Sequence, residues 1–514
     1  MKPSLLLFDI IKSLSQEEKA IFLKSSSLQQ GDKNYKKLFS YLDSVTEYNE
    51  EEIKQHFKKE TFAKHLASEK NQLFHHILKS LRLQRIKDKN GAAVFDKIKD
   101  VHLLYVRALP KLADKEAEKV RYRANEDELL YTMILLNETQ LNHISSNNYN
   151  QVDFTARVKE LFEEKKEFLL KISALNKYQQ LYDEIKYYFN QNILVHDRSK
   201  KHLLESFLNN PLISDLSHAN TKRSLLLATF CRLICFRIIR ENDKLGLEIN
   251  NAVELFQKHD FLKKEYPKIY IGLYGFLARY LAITANLTKA RAAIDHVRAL
   301  KDDKFFQTND LQNTIFTRLS VFNLMFYNYS GQFEKANKLL EETEKNLELN
   351  KDQYPGHEFT TINFLMFVTY FSLKNYNKAL KCINEIVNSD FDESRQDLFR
   401  YAKLCNLIVH YELGNTDYLV YSYKSTLRFF KQIDYPFEYE TAFLTHFKSI
   451  AISKKRPESK KIQFEEFRDN LEEIFKDPYQ MIASEYFDLV AWIDSKINET
   501  EYADEIIKRR SNQA

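Results

Sequence analysis

Glycine and proline are scarce, at eight residues each in a chain of 514. Ordinary usage, about 7% glycine, would give about 36 glycines. Glycine supplies the positive-φ turns and close backbone approaches on which phosphate loops and tight hairpins depend. The shortage argues against a glycine-rich nucleotide-binding enzyme and against an all-β domain. Cysteine is rarer still. Cys231, Cys235, Cys382 and Cys405 are the full set, too few for a disulfide framework at this size and in keeping with a reducing cytosol. A dominant charge is lacking too: 77 Lys+Arg against 72 Asp+Glu leave a net +5. Residues 1–90 carry all of that excess, with 17 basic and 12 acidic residues. A global nucleic-acid-binding surface is therefore not expected, and only the N-terminal part leaves a local one open. Long apolar runs are also missing. The most apolar stretch, Ser224 to Ile239, contains Arg232 and Arg237 and is shorter than the ~18 uninterrupted residues of a membrane span. Asp9 interrupts the apolar run of Met1 to Leu14 and no small-residue cleavage pattern follows, so no secretory signal is expected. The expectation is a cytoplasmic protein without a membrane-spanning segment.

What is present reads as helix. Apolar residues make up 44% and charged residues 29% of the chain, enough to bury a large core and solvate its exterior. Nearly every segment repeats its apolar residues at helical spacing, with almost no period-two alternation. Leu38, Tyr41, Leu42 and Val45 form one stripe. Ile98, Val101, His102, Tyr105 and Leu109 form a second, and Phe154, Val158, Leu161, Phe162 and Phe168 a third. Ser15 with Glu18 and Asn49 with Glu52 have capping-box spacing. Pro110, Pro211, Pro267, Pro355, Pro436, Pro457 and Pro478 fall mainly between periodic segments, as helix boundaries should. Ser453 to Lys461 reads as an exposed polar loop.

Several segments share one layout: an apolar helix with an aromatic near its end, a short polar turn, an aromatic or leucine, and then a small residue inside a second helix. One copy runs from Tyr327 through Gly331 and Phe333 to Ala336, and another from Tyr370 through Tyr376 to Ala379. A third runs from Leu281 through Leu287 to Ala290. A weaker one spans Tyr411, Gly414 and Leu419, and Ala252 with Leu255 and Phe256 suggests a fifth. Between Ala252, Ala290, Ala336, Ala379 and Leu419 the spacings are 38, 46, 43 and 40 residues. Repetition of this kind is the mark of stacked helical units, which cannot bury their apolar faces singly.

These copies resemble tetratricopeptide-type helical repeats, whose second helix opens with an aromatic, two polar residues and an alanine after a glycine or asparagine turn. The resemblance covers about residues 220–430 and extends faintly to Tyr105 to Ala113, where Ala113 and Ala117 open a degenerate copy. The spacing exceeds the 34 residues of that repeat, and only Gly331 and Gly414 keep the turn glycine. The resemblance implies an all-α fold, an α-solenoid of antiparallel helical hairpins wound into a right-handed superhelix. It also implies a protein- or peptide-binding scaffold that uses the concave face. First helices of successive repeats would place Arg237, Arg279 and Arg318 on or near that face, with Asn328, Tyr329, Tyr411 and Glu412. Arginine forks bind carboxylates bidentately and tyrosines supply contact area. The competing reading pairs each arginine with a local acid, Glu241 for Arg237.

Outside the repeats, residues 1–90 read as a helical module, residues 91–215 as degenerate hairpins, 216–435 as the array and 436–514 as capping helices with a polar tail. In the module, helices are expected over Leu5 to Leu14, Glu17 to Ser25, Tyr35 to Val45, Glu50 to Phe57 and Ser68 to Lys87. The last three imitate a helix-turn-helix, and the final helix carries Lys70, Lys79, Arg82 and Arg85. Its apolar residues Leu73, Phe74, Ile77, Leu78, Leu81 and Leu83 favour a docking or capping role. At the other end, Ile462 to Phe475 and Tyr479 to Ile497 read as closing helices, and Lys508-Arg509-Arg510 as a frayed tail.

Signatures of catalysis and metal binding are sparse. Cys231 and Cys235 share a helix face among Leu227, Phe230, Ile234 and Ile238, without a cysteine or histidine pair to complete a metal site. His75 and His76 point about 100° apart on a helix, and His196 and His202 flank a polar turn. His357-Glu358 does not continue into a zinc-protease pattern. Gly272 and Gly275 resemble a G-x-x-G loop in apolar surroundings that favour close helix packing. No catalytic residue, cofactor or metal is assigned. The expected function is a non-enzymatic scaffold for a protein or peptide. The alternative is a regulator in which residues 1–90 bind DNA or a partner and the array acts as a sensor. An enzyme would need a deep pocket with several ionisable groups.

Overall fold

The computed structural model describes residues 3–27, 34–85, 91–147, 154–191, 198–349, 356–388, 395–433, 436–452, 457–477, 480 and 486–511. Among the described residues every regular element is a helix and there is no strand. The chain divides into two compact units, Met1–Ser173 and Ala174–Ala514. The division falls within the 38-residue helix Phe154–Gln191.

The first unit opens with helices Pro3–Ser13, Gln16–Ser27, Asn34–Ser44, Glu50–His56 and Leu66–Arg85. Leu7, Ile11, Phe22, Leu38, Phe39, Leu42, Leu73 and Ile77 are buried together between them. The Ser15 hydroxyl accepts from the Glu18 amide and the Glu18 carboxylate accepts from the Ser15 amide, at 3.2 and 2.7 Å. Asn49 caps more simply, accepting from the amides of Glu51 and Glu52. Lys70 does not face solvent: it is 8% exposed, pairs with Glu50 at 2.9 Å and donates to the Tyr48 hydroxyl. The basic face of Leu66–Arg85 thereby loses one of the cations that a groove-reading helix would need. Further along this unit, Arg121 reaches Glu164 of a distant helix and also donates to Asn137 and Gln140. Leu109 and Phe162 depart from their expected stripes and are exposed. Leu109 precedes the first residue of helix Pro110–Glu126, outside the periodic run, and Phe154 lies at a helix start beyond the described side chains.

In the second unit consecutive helices pack as pairs. Lys222–Ile239 lies against Asn242–Lys258, Pro267–Ile283 against Leu287–Ala299, and Asn309–Tyr329 against Phe333–Leu349. Gly356–Ser372 pairs with Tyr376–Val387 and Gln396–Glu412 with Thr416–Phe430. The first members also touch in succession: Pro267–Ile283 packs on Asn309–Tyr329, that helix on Gly356–Ser372, and that on Gln396–Glu412.

Each pair turns through a left-handed residue: Arg240, Ala285, Gly331, Lys374 and Gly414, with φ between 57° and 71°. At every turn the amide after that residue donates back to a carbonyl five positions earlier, as from Gln332 to Tyr327 at 2.8 Å and Asn375 to Tyr370 at 2.9 Å. This closes the helix end in the manner of a Schellman cap. Five positions past each turn stand Leu245, Ala290, Ala336, Ala379 and Leu419, all buried. Ala252 is therefore out of register as a repeat position. Leu245 holds that place, and the spacing to Ala290 is 45 residues, not 38. Ala252 was mistaken for it because seven residues are close to two helical turns, which leaves it on the same buried face. In the first unit the left-handed Ala108 stands five positions before the buried Ala113 in the same way.

Pro110, Pro211 and Pro267 occupy first-turn positions, and Pro457 opens helix Pro457–Ile474, where the missing amide costs nothing. Pro355 and Pro478 lie outside the described residues, as do Ser453 to Arg456 of the expected polar loop. One apolar cluster runs from Leu324 to Ile506, so residues beyond 436 share the core of the preceding helices. The tail is not frayed. Tyr502–Ser511 is a helix whose Tyr502 stacks on Phe487 at 4.9 Å, while Arg509 pairs with Asp488 and Asp494 and Arg510 lies 4.0 Å over the Tyr329 ring. Apolar and aromatic contacts from the opposite face of a short basic helix hold it down. Of the expected helix over Tyr479 to Ile497, Tyr479 and residues 481–485 lie outside the described residues, and a helix starts at Leu489, where Asp488 caps it by accepting from the Ala491 amide.

Candidate functional site

A cavity of about 370 Å³ opens within the second unit, inside the usual range for ligand sites. Helix Lys222–Ile239 supplies Phe230, Ile234 and Arg237. Pro267–Ile283 contributes Lys268, Gly272, Gly275, Phe276 and Arg279, and Asn309–Tyr329 contributes Arg318, Val321, Phe322 and Met325. His357, Glu358 and Thr361 come from Gly356–Ser372, and Arg395 and Tyr486 from the starts of later helices. Arg237, Arg279 and Arg318 thus line one cavity. Arg279 and Arg318 reach it because Pro267–Ile283 packs on Asn309–Tyr329, and Arg237 reaches it across the Phe276 ring of Pro267–Ile283.

Among the described residues six cationic side chains, Lys186, Arg237, Lys268, Arg279, Arg318 and Arg395, and one carboxylate, Glu358, border the cavity. Arg318 pairs with Glu358 at 2.7 Å, and the exposed Lys268 with Asp310 at 2.9 Å. Arg395, only 7% exposed, forms a two-pronged pair with Asp397, both contacts 2.8 Å, and donates to Thr361 Oγ1 at 2.6 Å and Tyr486 OH at 3.3 Å. Burial works against the Arg395 charge, and Asp397 and Tyr486 together outweigh it. The Arg279 and Arg395 guanidiniums lie 5.9 and 5.5 Å from the centre of the Tyr486 ring, and that of Arg237 lies 5.4 Å from Phe276.

Burial and charge crowding together set the ionisation here. Burial, then repulsion from Arg237, brings Arg279 down to about 9. Arg237 is lowered chiefly by burial, with Arg240 and Arg395 adding like charge. Burial alone would raise the Tyr486 phenol. Arg395 and Arg279, with Arg237 behind them, outweigh it and bring it to about 8. A half-buried tyrosine hydroxyl is thus the meeting point of three guanidiniums.

The two glycines differ. A β-carbon on Gly275 would stand 2.1 Å from the Phe322 ring, so that glycine permits close helix packing, whereas one on Gly272 meets nothing within 4 Å. Gly272 is not a packing residue; it leaves room in the cavity.

The other expected groove residues lie outside this cavity, although Tyr329 lines a smaller one of about 30 Å³ that shares Arg279, Phe322 and Met325 with it. Asn328 is buried, donates to the Leu365 carbonyl at 2.9 Å and accepts from Thr369. Tyr329 stacks under Arg510. Tyr411 packs among Phe447, Phe464 and Trp492. Glu412 accepts from the Trp492 indole and pairs with Lys496. Asn328 ties its helix to Gly356–Ser372, whereas Tyr329, Tyr411 and Glu412 hold the C-terminal helices in place, because the ends of their helices meet that layer. Glu241 pairs with Lys244 at 2.7 Å, so the local acid expected for Arg237 is engaged with a lysine on its own helix. Arg395, Thr361, Glu358 and Tyr486 were not legible as site residues. Arg395 precedes its helix outside the repeat layout, and Tyr486 stands in a short non-helical link.

All four cysteines are buried, and burial pushes the Cys235 and Cys382 thiols up to about 12. Among the described residues there is no cluster of three or more metal-ligating side chains, and no helix is long and apolar enough to cross a membrane. His196 lies outside the described residues. No family model, curated protein or solved structure matches the chain.

Proposed function

We propose that the chain is a non-enzymatic binding scaffold, an array of antiparallel helical hairpins of tetratricopeptide type whose arginine-lined cavity holds an anionic segment of a protein or peptide. The observation that carries this reading is the convergence of Arg237, Arg279 and Arg318, drawn from three successive helix pairs, on one cavity. The repeated left-handed turns and the packing of first helices in succession support the array. Binding fits this wall better than catalysis. Arginine and lysine, which dominate the lining, are poor proton shuttles near neutral pH, and the lining carboxylate of Glu358 is tied to Arg318 and lies 3.9 Å from His357.

Selection from a random peptide library tests the reading. Wild-type protein should enrich sequences bearing carboxylate or other anionic groups. Replacing Arg237, Arg279 or Arg318 singly by Gln should weaken a selected peptide by ~1.5–3 kcal/mol, the range for hydrogen bonds to charged groups. Affinity should fall with added salt, because a wet cavity is screened over ~8–10 Å at physiological ionic strength. Enrichment of neutral peptides, or a folded triple Arg→Gln variant with parental affinity, would refute it.

A further inference from the structure

We propose that the tip of the hairpin formed by Gly91–Val106 and Pro110–Glu126 docks on a phospholipid bilayer with anionic headgroups, entering the interface of one leaflet. This surface belongs to the first unit and is independent of the cavity. The first ground is apolar surface held in the open. Leu103, Val106, Leu109 and Leu112 are 54, 70, 47 and 45% exposed, and every residue from Val106 to Leu112 is exposed. The buried residues near this end are Val101, Tyr105, Ala113 and Ala117, so the four aliphatic side chains are surplus to the hairpin's own packing. Nor is the tip a loose end. Ala108 is left-handed with φ 58°, the Leu109 amide donates to the Leu104 carbonyl at 3.0 Å, and Pro110 opens the second helix.

The second ground is a comparison inside the chain. The five turns of the second unit share this left-handed residue and this amide-to-carbonyl closure. The residue that follows is Glu241, Asn286, Gln332, Asn375 or Asn415 there, and Leu109 here. Four positions past the turn the array has lysine at four turns and Tyr418 at the fifth, where this hairpin has Leu112. Turn geometry therefore does not call for leucine at either place. The third ground is charge. Arg107, Lys111 and Lys115 stand beside the leucines, and among the described residues none of them forms an ion pair, whereas Lys99 and Lys119, further from the tip, pair with Asp96 and Glu116. Asp114, the acid within residues 101–115, accepts from the Tyr105 hydroxyl. Lys111 sits in the first turn of its helix, where the dipole favours an acid, so a cation is kept there against local electrostatics. Apolar side chains at a convex corner with long cations just behind them fit a lipid surface. The leucines enter the acyl boundary and the cations reach the headgroups. A protein partner would need a cleft matched to the corner, whereas lipid packs around it.

Co-sedimentation of the full chain with vesicles tests this. Vesicles of phosphatidylcholine containing one-third phosphatidylserine should bind at least tenfold tighter than vesicles of phosphatidylcholine alone. Val106→Asp combined with Leu109→Asp should abolish binding in a protein that melts like the parent, because both side chains are exposed. Arg107→Gln combined with Lys111→Gln should weaken binding to the anionic vesicles at least fivefold. The native cysteines are buried, so an environment-sensitive dye can be placed on a new thiol. On Val106→Cys its emission should shift to the blue with anionic vesicles, and on Lys119→Cys it should not. Anionic-vesicle binding that survives the double aspartate variant would overturn the proposal, because another surface would then carry it. Absence of binding to any vesicle, or an unshifted dye at position 106 on bound vesicles, would overturn it too. Self-association that the aspartate variant abolishes, without vesicle binding, would assign the tip to a second copy of the chain instead.

Discussion

Gly272 and Gly275 sit about one turn apart on one helix, yet a methyl group would meet opposite surroundings at the two positions. Gly272→Ala should stabilise the protein by ~0.5–1 kcal/mol, the helix-interior cost of glycine, because the added carbon meets open space. Gly275→Ala should instead destabilise, because the Phe322 ring occupies the place of the new carbon. Denaturant midpoints of the two variants should move in opposite directions. The sequence offered no way to separate them: both glycines lie among apolar residues, and only the three-dimensional packing of Asn309–Tyr329 decides which one faces a neighbour. Tyr486 provides a second residue-scale check. Its phenol should ionise near pH 8, about two units below a free tyrosine. An ultraviolet difference titration of wild type against Tyr486→Phe should show that single early phenolate. Because its folded-state value is depressed, this group adds stability that is complete above about pH 10 and is lost as pH falls through about 8. It therefore contributes nothing at neutral pH.

Helix pairs were readable in outline and misread in register, for a reason that lies in the turns. Three of the five turns in the repeat region carry Arg240, Ala285 or Lys374 in a conformation that glycine adopts freely, so the sequence marked only Gly331 and Gly414. What the sequence did reveal was the small residue five positions later, because alanine at a helix crossing is a packing requirement and leaves a compositional trace. Where leucine stands in that place, at Leu245, the trace disappears and the reading slid two helical turns to Ala252. Two variants test this account of the elements. Ala336, fully buried, should not accept a larger side chain, and Ala336→Leu should cost ~1–3 kcal/mol by overpacking. Lys374→Gly should be neutral to stabilising, since it removes a left-handed strain of ~1–2 kcal/mol against the extra entropy of an unfolded glycine. If Ala336→Leu melts with the parent, the paired-helix crossing is not where it has been placed.

Across the whole molecule, the partly buried His296 and His446, the buried His410 and the C-terminal helices set how the protein fails. Burial holds His296, His410 and His446 below the ordinary imidazole value. The unfolded chain then binds protons more readily than the folded one, so their contribution is full above about pH 6.5 and is lost as pH falls below it. Unfolding midpoints should therefore drop steadily from pH 6.5 towards pH 5. The C-terminal layer makes a sharper case. Tyr502 stacks on Phe487, and both meet Phe371 of Gly356–Ser372. The Phe487 carbonyl accepts from Tyr401 at 2.8 Å, and its neighbour Tyr486 reaches the arginines. One short link thus joins the closing helices to the cavity. Deleting residues 499–514 removes the buried Tyr502 and Ile506, worth ~1.5–3 kcal/mol each by apolar burial, and leaves Asp488 and Asp494 without Arg509. The truncated protein should melt at a clearly lower temperature. With Phe487 uncovered on one side, Tyr486 should also lose its fixed place among the guanidiniums, and its phenol should titrate back towards 10. A truncation that lowers stability but leaves the titration near 8 would mean that Arg395 and Arg279 hold Tyr486 unaided. In that case the closing helices stabilise the array without shaping its cavity.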